Sequence, residues 1–141
     1  MSKRETPFTR RFWLETGGTL IEEFRAVSRR SGRGPRLIDG VIVPDAEFAL
    51  AKTGDIDIAG RDIIVVQTKD MRLGMYLLGQ AYFSIRLMEE FHPRSIRSVA
   101  ICTRHDDVLE PIAREEGIEV VVYDDISAEE LALRQAAVLG F

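Results

Sequence analysis

One cysteine, Cys102, is all that the sequence contains, which excludes an internal disulfide and a zinc site built on several thiolates. A reducing, cytoplasmic setting is the expectation. No apolar run approaches the roughly 20 residues that a membrane-spanning helix needs, so no membrane partner is expected. The opening stretch MSKRETPFTRRFW carries charge but no apolar h-region, and is therefore not read as a secretory signal. Walker loop, G-x-G-x-x-G fingerprint and Ser/His/Asp set are all missing, which leaves nucleotide-binding and serine-hydrolase readings without support. There is no internal repeat, low-complexity tract or linker.

What remains is 141 residues with 45% hydrophobic and 30% charged side chains, one domain long enough to bury a core. The net charge of −4 argues against indiscriminate coating of nucleic acid. Its distribution is uneven. Residues 1–36 hold nine Lys/Arg against four acids, whereas residues 37–141 hold ten against nineteen. Residues 1–15 read as a basic N-terminal arm, suited to phosphates or simply solvated.

Along the chain, TGGT (16–19) is a break, after which Thr19 caps an expected helix with Leu20, Ile21, Phe24 and Val27 on its apolar face. RRSGRGPR (29–36) is a turn with four arginines. LIDGVIV (37–43) is a strand, residues 44–54 a loop, and DIDI-AGRD-IIVVQTK a hairpin turning at Gly60-Arg61. A helix follows over 71–91, stopped by His92-Pro93. Strands at 98–102 and 118–124 flank a helix over 106–117, and SAEELALRQAAVL (127–139) closes the chain with a Ser127–Glu130 capping box. This order, α-β-β-β-α-β-α-β-α, predicts an α/β fold with a mixed central sheet, helices on both faces and parallel crossovers at its C-terminal end.

The chemistry concentrates in IIVVQTKD (63–70). A strand period of two puts Gln67 and Lys69 on one face, an amide and an ammonium at the end of a core strand. A strand-end lysine commonly snorkels to water. Asp39, on the preceding strand, gives it another use. A hard cation such as Mg2+ or Mn2+ takes oxygen ligands, and Asp39, the Gln67 amide oxygen and the Thr68 main-chain carbonyl offer three. Lys69 would then stand beside the attacking water or a charged phosphoryl transition state.

At these residues the sequence resembles the PD-(D/E)xK nuclease superfamily, with its restriction-endonuclease-like α-β-β-β-α-β core. The matching residues are Glu22 or Glu23 in GGTLIEEF, Asp39 in RLIDGVIV, Gln67-Thr68-Lys69 in VVQTK, and Gln80 in LLGQAYF as a supporting polar residue on the next helix. The resemblance spans residues 16 to about 124, through short and degenerate motifs. It implies catalytic roles for Lys69, Asp39, Gln67 and a Glu22 or Glu23 carboxylate. Gln67 departs from the usual Glu, which removes a negative charge from the metal site and lowers cation affinity; some members, the Mrr-type enzymes among them, carry QxK. No appended target-recognition domain is expected.

Asp55 and Asp57 rival Asp39 as the metal ligand. With a two-residue turn at Gly60-Arg61 they face away from Lys69, and a one-residue bulge would reverse that. Glu22 fits the spacing from Gly18, while Glu23 flanks the apolar stripe. Arg29, Arg30, Arg33, Arg36 and Arg72 are candidate phosphate contacts. His105 reads as an exposed loop residue and Cys102 as inert packing. Two functions follow: Mg2+- or Mn2+-dependent hydrolysis of DNA, or a catalytically silent nuclease-like fold serving as an interaction or DNA-binding module. Helix 127–139 would offer a homodimer surface in either.

Overall fold

The computed structural model describes residues 1–27 and 34–140. A helix, α1 (Thr6–Thr16), opens the chain, followed by strands β1 (Thr19–Val27), β2 (Arg36–Val43), β3 (Ala49–Ala51) and β4 (Asp62–Thr68). Then α2 (Met75–Glu89), β5 (Ser95–Cys102), α3 (Leu109–Glu115), β6 (Ile118–Val122) and α4 (Ala128–Leu139) alternate to the end. The six strands form one mixed sheet in the order β3-β1-β2-β4-β5-β6. Strand β2 runs antiparallel to both its neighbours, β1 and β4; β4, β5 and β6 run parallel, and β3 pairs parallel with β1. The class is α/β, as expected from the pattern.

Strand alternation divides the core between the two faces of the sheet. Ile64, Val66, Val99 and Ile101 pack with Phe8 and Phe12 of α1 and with Ala128 and Leu131 of α4. On the opposite face Ile63 and Val65 meet Met88 of α2, while Ala100 and Cys102 meet Leu77 and Ala81 of α2 and Ala113 of α3. Helices therefore cover both sides, and β4, buried along six of its seven residues, lies at the centre.

The N-terminal segment is not an arm. Pro7 sits in the first turn of α1, and Phe8, Phe12 and Trp13 recur at helical spacing on a buried face. The Trp13 indole donates to the Gly18 carbonyl at 2.7 Å and stacks on Phe48 with centroids 4.4 Å apart. The basic residues of this segment meet the chain's own acids: Arg4 pairs with Asp70 and Glu129, Arg10 with Glu22, and Arg11 with Asp125.

Residues 19–27 are a strand rather than the expected helix. Glu23 has a left-handed backbone, φ 52°, and the register passes from Glu22↔Gly40 to Phe24↔Ile38. That conformation shifts the alternation by one, so Phe24 returns to the cluster that holds Ile21. Apolar residues at 20, 21 and 24 thereby imitate a helical spacing within a strand buried on both faces.

The expected hairpin is also absent. Both edges of β4 are taken, by β2 and β5, and residues 54–61 form a loop. Asp55 accepts from Lys52 N–H and Asp57 from Ala59 N–H, each stabilising its own turn. Helix α2 starts at Met75 rather than 71, because the backbone after β4 continues beside β5: Thr103 N–H donates to Met71 O and Leu73 N–H to Arg104 O. Asp106 accepts Val108 and Leu109 N–H in the turn that leads into α3, and Ser127 caps α4 through Glu130 N–H at 3.2 Å. Helix α4 docks on α1, where Gln135 donates to the Pro7 carbonyl, so one face of it is already used within the chain.

Candidate active site

Two neighbouring strands bring the predicted residues together. Antiparallel pairing of Gly40 with Val66 sets Asp39 beside the end of β4, and an Asp39 carboxylate oxygen accepts Thr68 N–H at 2.9 Å. Asp39 N–H in turn points to the Gln67 amide oxygen at 3.4 Å. Main-chain pairing holds the next residue, since Lys69 N–H donates to Ile101 O at 2.9 Å. The Lys69 ammonium lies 3.4 Å from a Glu5 carboxylate oxygen and 5.8 Å from the centre of the Tyr76 ring. Asp39, Glu5 and Lys69 therefore meet at the C-terminal edge of β4.

The electrostatics of Asp39 set it apart. Burial pushes its carboxyl above the usual range; the Thr68 N–H opposes the shift, the Glu5 charge adds to it, and the Lys69 and N-terminal ammonium groups reduce it. The amino group of Met1 pairs with Glu23. Its pKa is raised, first by that bond and further by the Asp39 and Glu5 charges.

The side chains of Gln67 and Thr68 are turned elsewhere. Gln67 lies on the α2 face, where its amide nitrogen donates to Ser84 Oγ at 2.8 Å; Ser84 Oγ donates on to the Gln80 carbonyl at 2.6 Å. Only its oxygen touches the Asp39 backbone. Thr68 lies on the α1 face, its hydroxyl 2.7 Å from the Thr9 hydroxyl. Lys69, past the end of the strand, leaves the parity that would have aligned it with Gln67 and reaches towards α1.

Neither glutamate of the GGTLIEEF stretch lies on a helix. Glu22 is bound by Arg10 through two hydrogen bonds, and Glu23 by the Met1 amine. The helix-borne acid that meets Lys69 is Glu5, at the start of α1. Its signal was present: Glu5-Thr6-Pro7, ahead of the Phe8/Phe12/Trp13 stripe, marks a helix N-terminus. Asp55 and Asp57 belong to the loop before β4. Arg36 opens β2, and Arg72 lies exposed in the isolated bridge with Arg104. Arg29, Arg30 and Arg33 fall outside the described residues. Gln80 keeps its Oε1 shielded from solvent with no hydrogen-bond donor from the protein.

Comparison with family models, curated proteins and solved structures returns no significant match. Among the described residues, no three His, Cys, Asp or Glu side chains gather closely enough to hold a metal ion by themselves. The donor set meets a lesser demand. Mg2+ is commonly bound by one or two carboxylates, with substrate phosphate and water completing its shell. Asp39 and Glu5 would be the two acids of such an arrangement, Glu5 being already bonded by Lys69 and by Ser2 N–H.

Proposed function

We propose that this chain hydrolyses phosphodiester bonds of DNA with Mg2+ or Mn2+ as cofactor, using Asp39, Glu5 and Lys69. One observation carries the reading: a half-buried carboxylate, a second acid and an ammonium meet at the adjoining ends of β2 and β4, a mixture that core packing does not require. The order of α1, the antiparallel run β1, β2 and β4 with the short β3 intervening, α2 and the parallel β5 supports it, since it resembles the core implied by the QTK and Asp39 motifs. Asp39 and Glu5 would hold the cation. When bound, the cation neutralises phosphate charge and lowers the pKa of water.

The chain's own groups have separable tasks. Thr68 N–H and the Gln67 amide oxygen fix the Asp39 carboxylate and backbone, so Gln67 acts as a positioning residue and not as a ligand. Lys69, resting on Glu5, neutralises charge that develops on a phosphate oxygen. The test is cleavage of single-stranded, branched and duplex DNA with Mg2+ or Mn2+, beside the Lys69→Ala variant. Cleavage should fall by about 10²- to 10³-fold in the variant. Cleavage that survives the substitution, or none on any substrate, would remove the catalytic reading.

A second reading is then the better one: a silent nuclease-like fold that serves as an interaction or DNA-binding module. The closed Lys69–Glu5 pair and the Gln67–Ser84 bond favour it, because both occupy groups that catalysis would use. The exposed Leu133 and Val138 of α4 offer such a module a contact surface, including one for a second copy of the chain.

A further inference from the structure

A cavity of about 730 Å3 opens between the start of β2, the end of β4 and one flank of α2. Gln67 lines it, and so does Tyr76, whose ring centre lies 5.8 Å from the Lys69 ammonium. Tyr76 and Phe83 stand on the same flank of α2 and are 75% and 65% exposed. Aromatic rings left this open on a helix are out of place unless something covers them. Gly79, between them in sequence, has no neighbour within 4 Å of where a Cβ would stand, which keeps the space between the rings clear. Arg36, Arg86 and Glu90 also line it, Arg86 lying 4.0 Å from Glu89.

Gln80 supplies the polar signal. Its side chain lines this cavity, yet its Oε1 meets no protein donor. A shielded acceptor without a partner is costly, and the terminal amide torsion of glutamine is soft. A ligand that brought an N–H into the cavity would let the amide turn and satisfy that oxygen.

From these features we infer that the cavity receives an unpaired nucleobase of a DNA strand whose phosphate lies at Lys69. The inference rests on the phosphodiester reading of the adjoining site. A base offers two aromatic faces for Tyr76 and Phe83, a ring or amino N–H for Gln80, and flanking phosphates for Arg36 and Arg86. Tyr76 links the two sites, since its ring also lies under the Lys69 ammonium. A base stacked within a duplex offers no free face to Tyr76 and Phe83 without leaving the helix, so single-stranded or branched DNA is preferred over duplex.

The experiment is binding with a chelator present, so that no cleavage occurs. Fluorescence anisotropy of labelled single-stranded and duplex oligonucleotides is compared among the full chain, Tyr76→Ala, Phe83→Leu and Gln80→Leu, each checked for an unchanged melting temperature. A single strand containing 2-aminopurine reports stacking directly, by quenching. The expected result is tighter binding of single strands than of duplex, about 5- to 100-fold weakening in Tyr76→Ala, and loss of quenching. Single-strand binding that ignores all three substitutions overturns the base site and leaves the nuclease reading standing, because Lys69→Ala tests that separately. No single-strand binding at all also overturns it. Self-association abolished by Tyr76→Ala and Phe83→Leu would instead assign the surface to a protein contact.

Discussion

Asp39 is where side-chain chemistry and stability meet. Its carboxyl is held above the ordinary value of 3.8, chiefly by burial. Between the ordinary and the raised value the folded chain keeps a proton that the unfolded chain has lost. Stability conferred by that proton therefore falls as pH rises through this window, and stays level above it. Asp39→Asn removes the titration while retaining an oxygen for Thr68 N–H. The melting temperature of Asp39→Asn, relative to the parent chain, should climb as pH rises above the ordinary value of 3.8 and level off once the raised value is passed. A difference that stays flat or declines over that range would show that burial does not govern this carboxyl. Asp39 and Lys69 were legible in the sequence, because a charged group within or at the end of a core strand is costly to hold there unless it meets a partner. Glu5 was not, because an acid at a helix start is unremarkable until the helix itself is recognised.

Elements were legible where period and length agreed. Helices α2 and α4 and strands β2, β4, β5 and β6 follow from their patterns. Failure came where one residue altered the period: the left-handed Glu23 made β1 look helical, and charges among Phe8, Phe12 and Trp13 disguised α1. The three-residue β3 is too short to carry a pattern at all. Close packing of α1 against the sheet gives a further prediction. A Cβ on Gly40 would lie 3.0 Å from Leu20 Cδ1 and 3.2 Å from Thr9 Cγ2. Gly40→Ala should therefore destabilise by about 1–3 kcal/mol, read from the shift in urea midpoint at constant slope. Because Thr9 also touches Thr68, the same change should weaken the placement of Glu5 near Lys69.

At the scale of the whole molecule, part of the charge asymmetry of the sequence turns inward. Arg4 and Arg11 pair with Asp70, Asp125 and Glu129 from later in the chain, so these two charges tie the N-terminal segment to the rest of the fold. No described helix is long and apolar enough to cross a membrane. The sheet encloses Cys102, and burial pushes its thiol up to about 11. Native protein at mild alkaline pH should thus react with an aromatic disulfide reagent only as fast as it opens, and at once in denaturant. Rapid labelling of the native chain would show that β5 is less enclosed than its packing indicates.

The enclosed indole of α1 gives the chain a clock. Trp13 is its sole tryptophan, 2% exposed and stacked on Phe48. Its emission therefore reports the docking of the helix that carries Glu5 and Thr9, while far-ultraviolet ellipticity reports the strands and remaining helices. Following both signals during refolding separates the moment at which the sheet forms from the moment at which the last acid of the site arrives.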